Sequence, residues 1–217
     1  MTNSAAAAMD AMYRHQRFIY DLTRRPYLFG RDEMLAGLTP PAGGSVVEIG
    51  CGTARNLLHA AHLYPDAHFF GIDISEEMLK TARASVARSP FRNRISLAQA
   101  DATAFSLTEL FQLQTADRIF ISYALSMIPA WEDVLERAAL QLSNQGRLHI
   151  VDFGTMQKMP SLPRRAMRAW LKHFDVTPRL DLQSAVGQVA VRHGLSASFR
   201  QSTLDYAAHA QIASIPA

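Results

Sequence analysis

A doubly wound α/β sheet is the fold this chain predicts, and three observations predict it. Short apolar runs alternate with amphipathic stretches of helical period, a glycine-rich turn follows the first run, and the last two runs have no long helix between them. The alternation argues for a mostly parallel sheet covered on both faces. The closing pair argues for an antiparallel hairpin at one edge. Seven strands result, and such a Rossmann-like sheet takes its ligands beyond the carboxyl ends of its strands. The 217 residues suit one domain with a short appendage, and 48% hydrophobic residues suffice for a sizeable core.

The elements follow in order. Residues 1–40 read as helices broken at Pro26, an N-terminal helical cap. Pro40-Pro41-Ala42-Gly43-Gly44 then separates the cap from a domain over 45–217. Residues 45–49 are a β-branched run ending at Gly50, a buried strand. Residues 54–64 have helical character and stop before Pro65. Residues 68–72 are a second strand. Ser75 then N-caps a helix over 76–87, with Met78, Leu79, Ala82 and Val86 at helical spacing. Residues 95–98 and 116–123 are the third and fourth strands. A helix over 131–142 is closed by Asn144 and Gly146, and 147–153 is the fifth strand. Helical stretches over 163–174 and 181–193 precede two last strands, 196–201 and 206–213.

Several classes are disfavoured. A single cysteine, Cys51, forms no internal disulfide, so a reducing compartment is expected. The first ten residues lack the basic and apolar regions of a signal peptide. The longest apolar run, 119–130, is too short to span a bilayer and carries Ser122, Ser126 and Pro129. A cytoplasmic protein is expected. His59 and His62 stand three apart, with His68 nearby, but no Cys or further His completes a ligand set, so no metal is expected.

The net charge of +3 has a location. Residues 158–179 hold six Lys/Arg against one acid, Asp175, a net +5 that leaves the rest of the chain at −2. Within 163–174, Met167, Trp170, Leu171 and Phe174 share one helical face, and Arg164, Arg168 and Lys172 form a separate stripe. Two readings stay open. One is an interfacial helix on the anionic inner face of a membrane. The other is a surface helix with its apolar face turned to the core. Nucleic-acid binding is not expected, because no recognition motif accompanies the basic residues.

The most informative stretch is Glu48-Ile49-Gly50-Cys51-Gly52-Thr53-Ala54-Arg55. The glycines permit a tight turn and let a ligand lie on bare backbone. A dinucleotide fingerprint needs a third glycine where Arg55 stands, and a P-loop needs G-K-[S/T], which is absent. Glu48-x-Gly50-x-Gly52 resembles the first motif of class I S-adenosylmethionine-dependent methyltransferases. That resemblance implies that Glu48, Gly50, Cys51 and Gly52 surround the methionine and ribose of S-adenosylmethionine. It implies that Asp73, after the second strand, accepts the two ribose hydroxyls, for which two carboxylate oxygens are suited. It also implies that Asp101 accepts the adenine amine between Ile74 and Ala102, and that Ser122 and Tyr123 line the transfer centre. The plainer alternatives are a helix cap for Asp73, a loop acid for Asp101 and core packing for Tyr123.

The flanks narrow the resemblance. Met12-Tyr13-Arg14-His15-Gln16-Arg17, Ile19-Tyr20-Asp21, Thr23-Arg24, Tyr27-Leu28 and Gly30-Arg31-Asp32 resemble bacterial diacylglyceryl-homoserine N-methyltransferases. So do Ser122-Tyr123-Ala124-Leu125-Ser126-Met127-Ile128-Pro129 and Val151-Asp152-Phe153-Gly154. The resemblance implies successive methylation of a lipid-linked homoserine amine; a quinone precursor or other small molecule is the alternative acceptor. An α-amino group has a pKa near 8, so part of it is neutral at pH 7 and alignment can replace a strong base. Tyr123, Asp152 and Tyr20 are the candidate catalytic residues. The phenol of Tyr123 would orient the amine or take a proton through water, and Asp152 would hold the amine or merely cap a loop. Tyr13, Tyr20, Tyr27 and Tyr123 are candidates for an aromatic wall around cations. Tyr20 and Arg31 are candidates for the cofactor carboxylate, with a surface pair to Asp32 or Glu33 as the alternative for Arg31.

Overall fold

The computed structural model describes residues 28–215. A short helix α1 (Arg31–Ala36) leads into β1 (Ser45–Ile49), α2 (Arg55–Leu63), β2 (His68–Asp73), α3 (Glu76–Ala87) and β3 (Ile95–Gln99). Then come α4 (Leu107–Phe111), β4 (Ala116–Ser122), α5 (Trp131–Leu140), β5 (Leu142–Phe153), α6 (Ser161–His173) and α7 (Leu182–Arg192), before β6 (Leu195–Gln201) and β7 (Ala207–Ser214). The seven strands form one sheet in the order β3-β2-β1-β4-β5-β7-β6. The first five are parallel, and β7 joins β5 and β6 antiparallel. The expected hairpin is present, and its second strand lies inside its first.

β1 is buried along its whole length, as a central parallel strand covered on both faces must be. Two core clusters lie on the two faces. One holds Val46, Leu57, Phe69, Leu79 and Phe120, and the other Val47, Ile72, Ile119, Leu135 and Val189. The alternation of Val46 and Val47 between them is the period-two signature of a strand. The helix start expected at Ser75 is real: the Ser75 hydroxyl accepts from the Met78 N–H at 3.3 Å.

Two boundaries differ from expectation. The helix over 131–142 ends at Leu140, and Asn144 and Gly146 lie within β5 rather than after a helix. The ladder to β4 shifts register between Ala116 and Arg118 there. A Cβ on Gly146 would come 2.9 Å from the Ala116 carbonyl, so this glycine serves a close strand approach. The five-residue helix α4 was not expected, although Ser106 caps it by accepting from the Glu109 N–H at 3.3 Å.

The linker after α1 is tied down by one buried side chain. Arg118 donates to the carbonyls of Leu38 (2.5 Å), Thr39 (2.8 Å), Asp117 (2.6 Å) and Gln145 (3.3 Å). Removing it strands buried acceptors. Arg118→Met should cost about 2–3 kcal/mol in urea denaturation. An unchanged midpoint would show that the linker is held by other contacts.

Candidate functional site

The carboxyl ends of β1, β2, β3 and β4 open onto one cavity. The β1 end reaches it by a turn that glycine makes possible. Gly50 has φ 72°, and a Cβ there would meet the Ala124 methyl at 2.7 Å. The Gly50 and Cys51 N–H groups both donate to the Ile72 carbonyl, at 2.9 and 3.0 Å, which pins the turn onto β2. Ala54 also adopts a left-handed conformation, φ 63°, as the residue before α2. Such conformations in non-glycine residues cost about 1–3 kcal/mol and cluster at functional sites.

Asp73 closes β2 and serves two loops. One carboxylate oxygen accepts from the Gly52 N–H at 2.8 Å, the other from the Ser75 N–H at 2.9 Å. A carboxylate offers about four acceptor positions, so it can also receive hydroxyls from the cavity side. Asp101, after β3, accepts from the Thr103 N–H (2.9 Å) and hydroxyl (2.7 Å) through one oxygen. Ile74 and Ala102 line the wall between these acids.

Glu48 is 1% exposed. Oε1 accepts from the Asn56 amide at 2.7 Å, whereas Oε2 is buried without a hydrogen-bond partner. Burial, reinforced by the Asp73 charge, pushes its carboxyl well above the ordinary value despite the Asn56 bond and Arg31. Buried polar atoms in folded proteins are nearly always satisfied, so this orphan marks the place of a ligand donor. Cys51 is buried beside it, and burial pushes its thiol up, so the sulfur is a packed neutral group.

Arg31 is buried, lines the cavity and pairs through Nε with the Asp32 carboxylate at 3.1 Å. The pair with Asp32 offered as its alternative is present, and the side chain also faces the cavity. At the β4 end stand Ser122, whose buried hydroxyl oxygen has no partner, and Tyr123. Tyr123 is left-handed, φ 55°, and its hydroxyl donates to the Phe29 carbonyl at 2.6 Å. Burial holds its phenol well above the ordinary range, so the ring walls the cavity while the neutral hydroxyl clasps the chain at Phe29.

All the expected cofactor residues within the described range come together in this cavity: Arg31, Glu48, Gly50, Cys51, Gly52, Asp73, Ile74, Asp101, Ala102 and Ser122. Tyr13, Tyr20 and Tyr27 lie outside the described residues. Asp152 does not line the cavity. It is 0% exposed, and its oxygens accept from the Ser126 N–H (3.1 Å) and its neighbour Phe153 N–H (2.7 Å). It anchors the 3-10 turn Leu125–Met127 rather than facing the cavity. Asn56 was missed; a buried acid requires a donor, and the first turn of α2 is the nearest place for one. Leu28, Met78, Met127 and Ile128 complete the apolar wall.

The residues fit S-adenosylmethionine: an orphaned carboxylate at the glycine turn, paired acceptors at the end of β2 and an acid after β3. A family profile described as a methyltransferase domain matches residues 41–194. A tRNA1(Val) (adenine(37)-N6)-methyltransferase from Porphyromonas gingivalis is 31% identical over 164 residues, covering 64% of each chain. A demethylmenaquinone methyltransferase from Symbiobacterium thermophilum is 43% identical over 56 residues, 25% of this chain and 22% of its own. One from Listeria monocytogenes is 26% identical over 134 residues, 61% of this chain and 53% of its own. The chain thus spans between about a fifth and two thirds of these relatives' lengths. Among solved structures, a SAM-dependent methyltransferase from Aquifex aeolicus superposes with TM-score 0.64 at 16% identity, covering 88% of this chain and 93% of that one. An O-methyltransferase family 2 protein from Planctomyces limnophilus, complexed with apigenin, gives 0.66 at 18%, covering 93% and 62%. These two likenesses show the fold.

The raised Glu48 carboxyl carries a signed consequence. An acid that binds its proton more tightly when folded makes stability fall as pH rises above its ordinary 4.5. Glu48→Gln removes that loss. Wild type and variant should be about equally stable near pH 4, and the variant the more stable between about pH 6 and 8. Parallel urea-stability curves across that range would contradict this.

Proposed function

The chain belongs to the methyltransferase-domain family and its cofactor is S-adenosylmethionine; on that premise we propose that it methylates the amine of a lipid-linked homoserine, in successive transfers ending at a trimethylated betaine headgroup. The bound cofactor supplies a methyl group on a cationic sulfur. Asp73 and Asp101 bring carboxylates to the cavity wall, and the Glu48 carboxyl, held neutral more readily by burial, adds an acceptor oxygen. The Glu48 Oε2 orphan accepts a ligand N–H, and Asp73 accepts the ribose diol. The Arg31 guanidinium, whose Nε is held by Asp32, is placed to take a carboxylate.

The observation that carries amine methylation is the composition of the β4 end. Among the described residues, Ser122, Tyr123, Ala124, Met127 and Ile128 line it, with neither a carboxylate nor an imidazole. An acceptor that needs a strong base is poorly served there. A partly neutral amine is well served, because alignment and exclusion of water suffice. The orphaned Ser122 hydroxyl can accept an amine N–H, and the Tyr123 ring face stabilises a developing ammonium by about 0.5–2 kcal/mol. The lipid character of the acceptor rests on the sequence resemblance over residues 12–32, 122–129 and 151–154.

The helix α6 supports a membrane-facing role in part. Its apolar face, Met167, Trp170, Leu171 and Phe174, packs on the core, so that face is not free for lipid. Arg165, Arg168 and Lys172 are exposed, Leu162 is 77% exposed at its start, and no helix among the described residues is long and apolar enough to cross a membrane. We place the anionic inner leaflet against this basic surface, with the lipid amine entering at the β4 end. A quinone-precursor acceptor is the second reading, favoured by the similarity to demethylmenaquinone methyltransferases.

Incubation with isotopically labelled S-adenosylmethionine and either diacylglyceryl-homoserine or demethylmenaquinone, followed by mass spectrometry of the lipids, separates the two. The homoserine lipid should gain mono-, di- and trimethylated forms. Label in the quinone alone would overturn the amine assignment.

A further inference from the structure

A second cavity lies where β5, β7 and β6 run antiparallel beneath α1. The register brings polar residues together on this face of the sheet. His149 stands opposite Gln211, which stands opposite Ser198, and in the next row His209 stands opposite Arg200. Directly opposed side chains lie about 4.5–5.5 Å apart at Cβ, so these groups are neighbours. The reverse face of the same strands is apolar and packs on α7 through Leu148, Ile150 and Ile212. His149 and His209 are the buried members of this otherwise open patch, and a buried polar atom costs free energy unless it is partnered.

The patch is not fully partnered. His149 is 9% exposed, and its Nε2 is buried with no hydrogen-bond partner. Arg147 stands two residues before it on the same side of β5 and lines the cavity. Arg118, beside Arg147 across the β4–β5 ladder, donates to carbonyls. Glu33 of α1 is the one acid among the lining residues and is paired with Arg200 at 2.7 Å. His209 packs its ring where a Gly30 side chain would stand, with Nε2 2.3 Å from that Cβ position, so it buttresses the chain above. Burial, with Arg118 and Arg147 nearby, pushes the His149 imidazole down to about 4.

With Arg200 paired to Glu33, the lining keeps one surplus guanidinium, Arg147, beside a buried imidazole nitrogen without a partner, a combination that disfavours metal cations and suits an oxyanion. We propose that it binds a small oxyanion of the phosphate type, held by Arg147 and Arg200, by the Gln211 amide and by His149 in the tautomer with its proton on Nε2. This site is separate from the glycine-turn cavity and does not depend on the identity of the methyl acceptor.

The test is a titration of the full chain with inorganic phosphate at about physiological ionic strength, read by calorimetry and by the imidazole nitrogen resonances. Saturable one-to-one binding is expected, with a shift at His149 Nε2. Arg147→Gln alters an exposed side chain and should weaken binding at least about tenfold while thermal unfolding is unchanged. His149→Phe, of similar volume, should do the same. Absence of saturable binding, or wild-type affinity retained in both variants, would overturn the proposal. Phosphatidylcholine vesicles with and without phosphatidic acid distinguish the source. Competition with phosphate by the acidic vesicles alone identifies a headgroup, and its absence a free anion.

Discussion

The Asp73 carboxylate is the interaction on which the rest of the site depends. A strand end presents backbone groups and no fixed shape, yet here two loops must stand still on either side of a crevice. Asp73 accepts from Gly52 in the glycine turn and from Ser75 at the start of α3, one oxygen to each. Charge-assisted bonds of this kind are roughly twice as strong as neutral ones. The same group holds the Ser75 cap of α3, shapes the turn after β1 and faces the cavity. Asp73 thus holds the residue that caps α3 while it lines the cavity.

The remaining geometry follows from how the sheet is wound. Parallel strands β3, β2, β1 and β4 bring their carboxyl ends to one edge, so Asp101, Asp73, Glu48 and Ser122 meet without being close in sequence. Glu48 shows the cost of this arrangement. Its carboxylate is buried with one oxygen unpaired, a local instability of the kind that functional sites retain. Tyr123 contributes in another way, because its strained backbone aims a ring at the cavity while its hydroxyl secures the chain at Phe29.

Much of this was legible in the sequence, for physical reasons that also explain the misses. The strand-turn-helix at Glu48–Asn56 announces itself because only glycine makes the turn, and Ser75 announces itself because a helix start needs an acceptor. Asn144 and Gly146 misled because turn formers usually end elements, whereas here they accommodate a register shift inside β5. The helix α4 is five residues long, too short for periodicity, and only Ser106 followed by Glu109 betrays it. Asp152 is at a strand end, as expected, but it alternates with Val151 and shares a face with Leu148 and Ile150, which turns it away from the cavity. The paired rows around His149 were invisible, because no local pattern says that β7 inserts between β5 and β6.

The most direct test of this account is the calorimetric affinity of the full chain for S-adenosylmethionine in wild type and Asp73→Ala. With two loop anchors removed, and with them the proposed diol acceptor, affinity should fall at least about a hundredfold, with the fold retained by circular dichroism. An affinity within a factor of about two of wild type would contradict the central role given to Asp73.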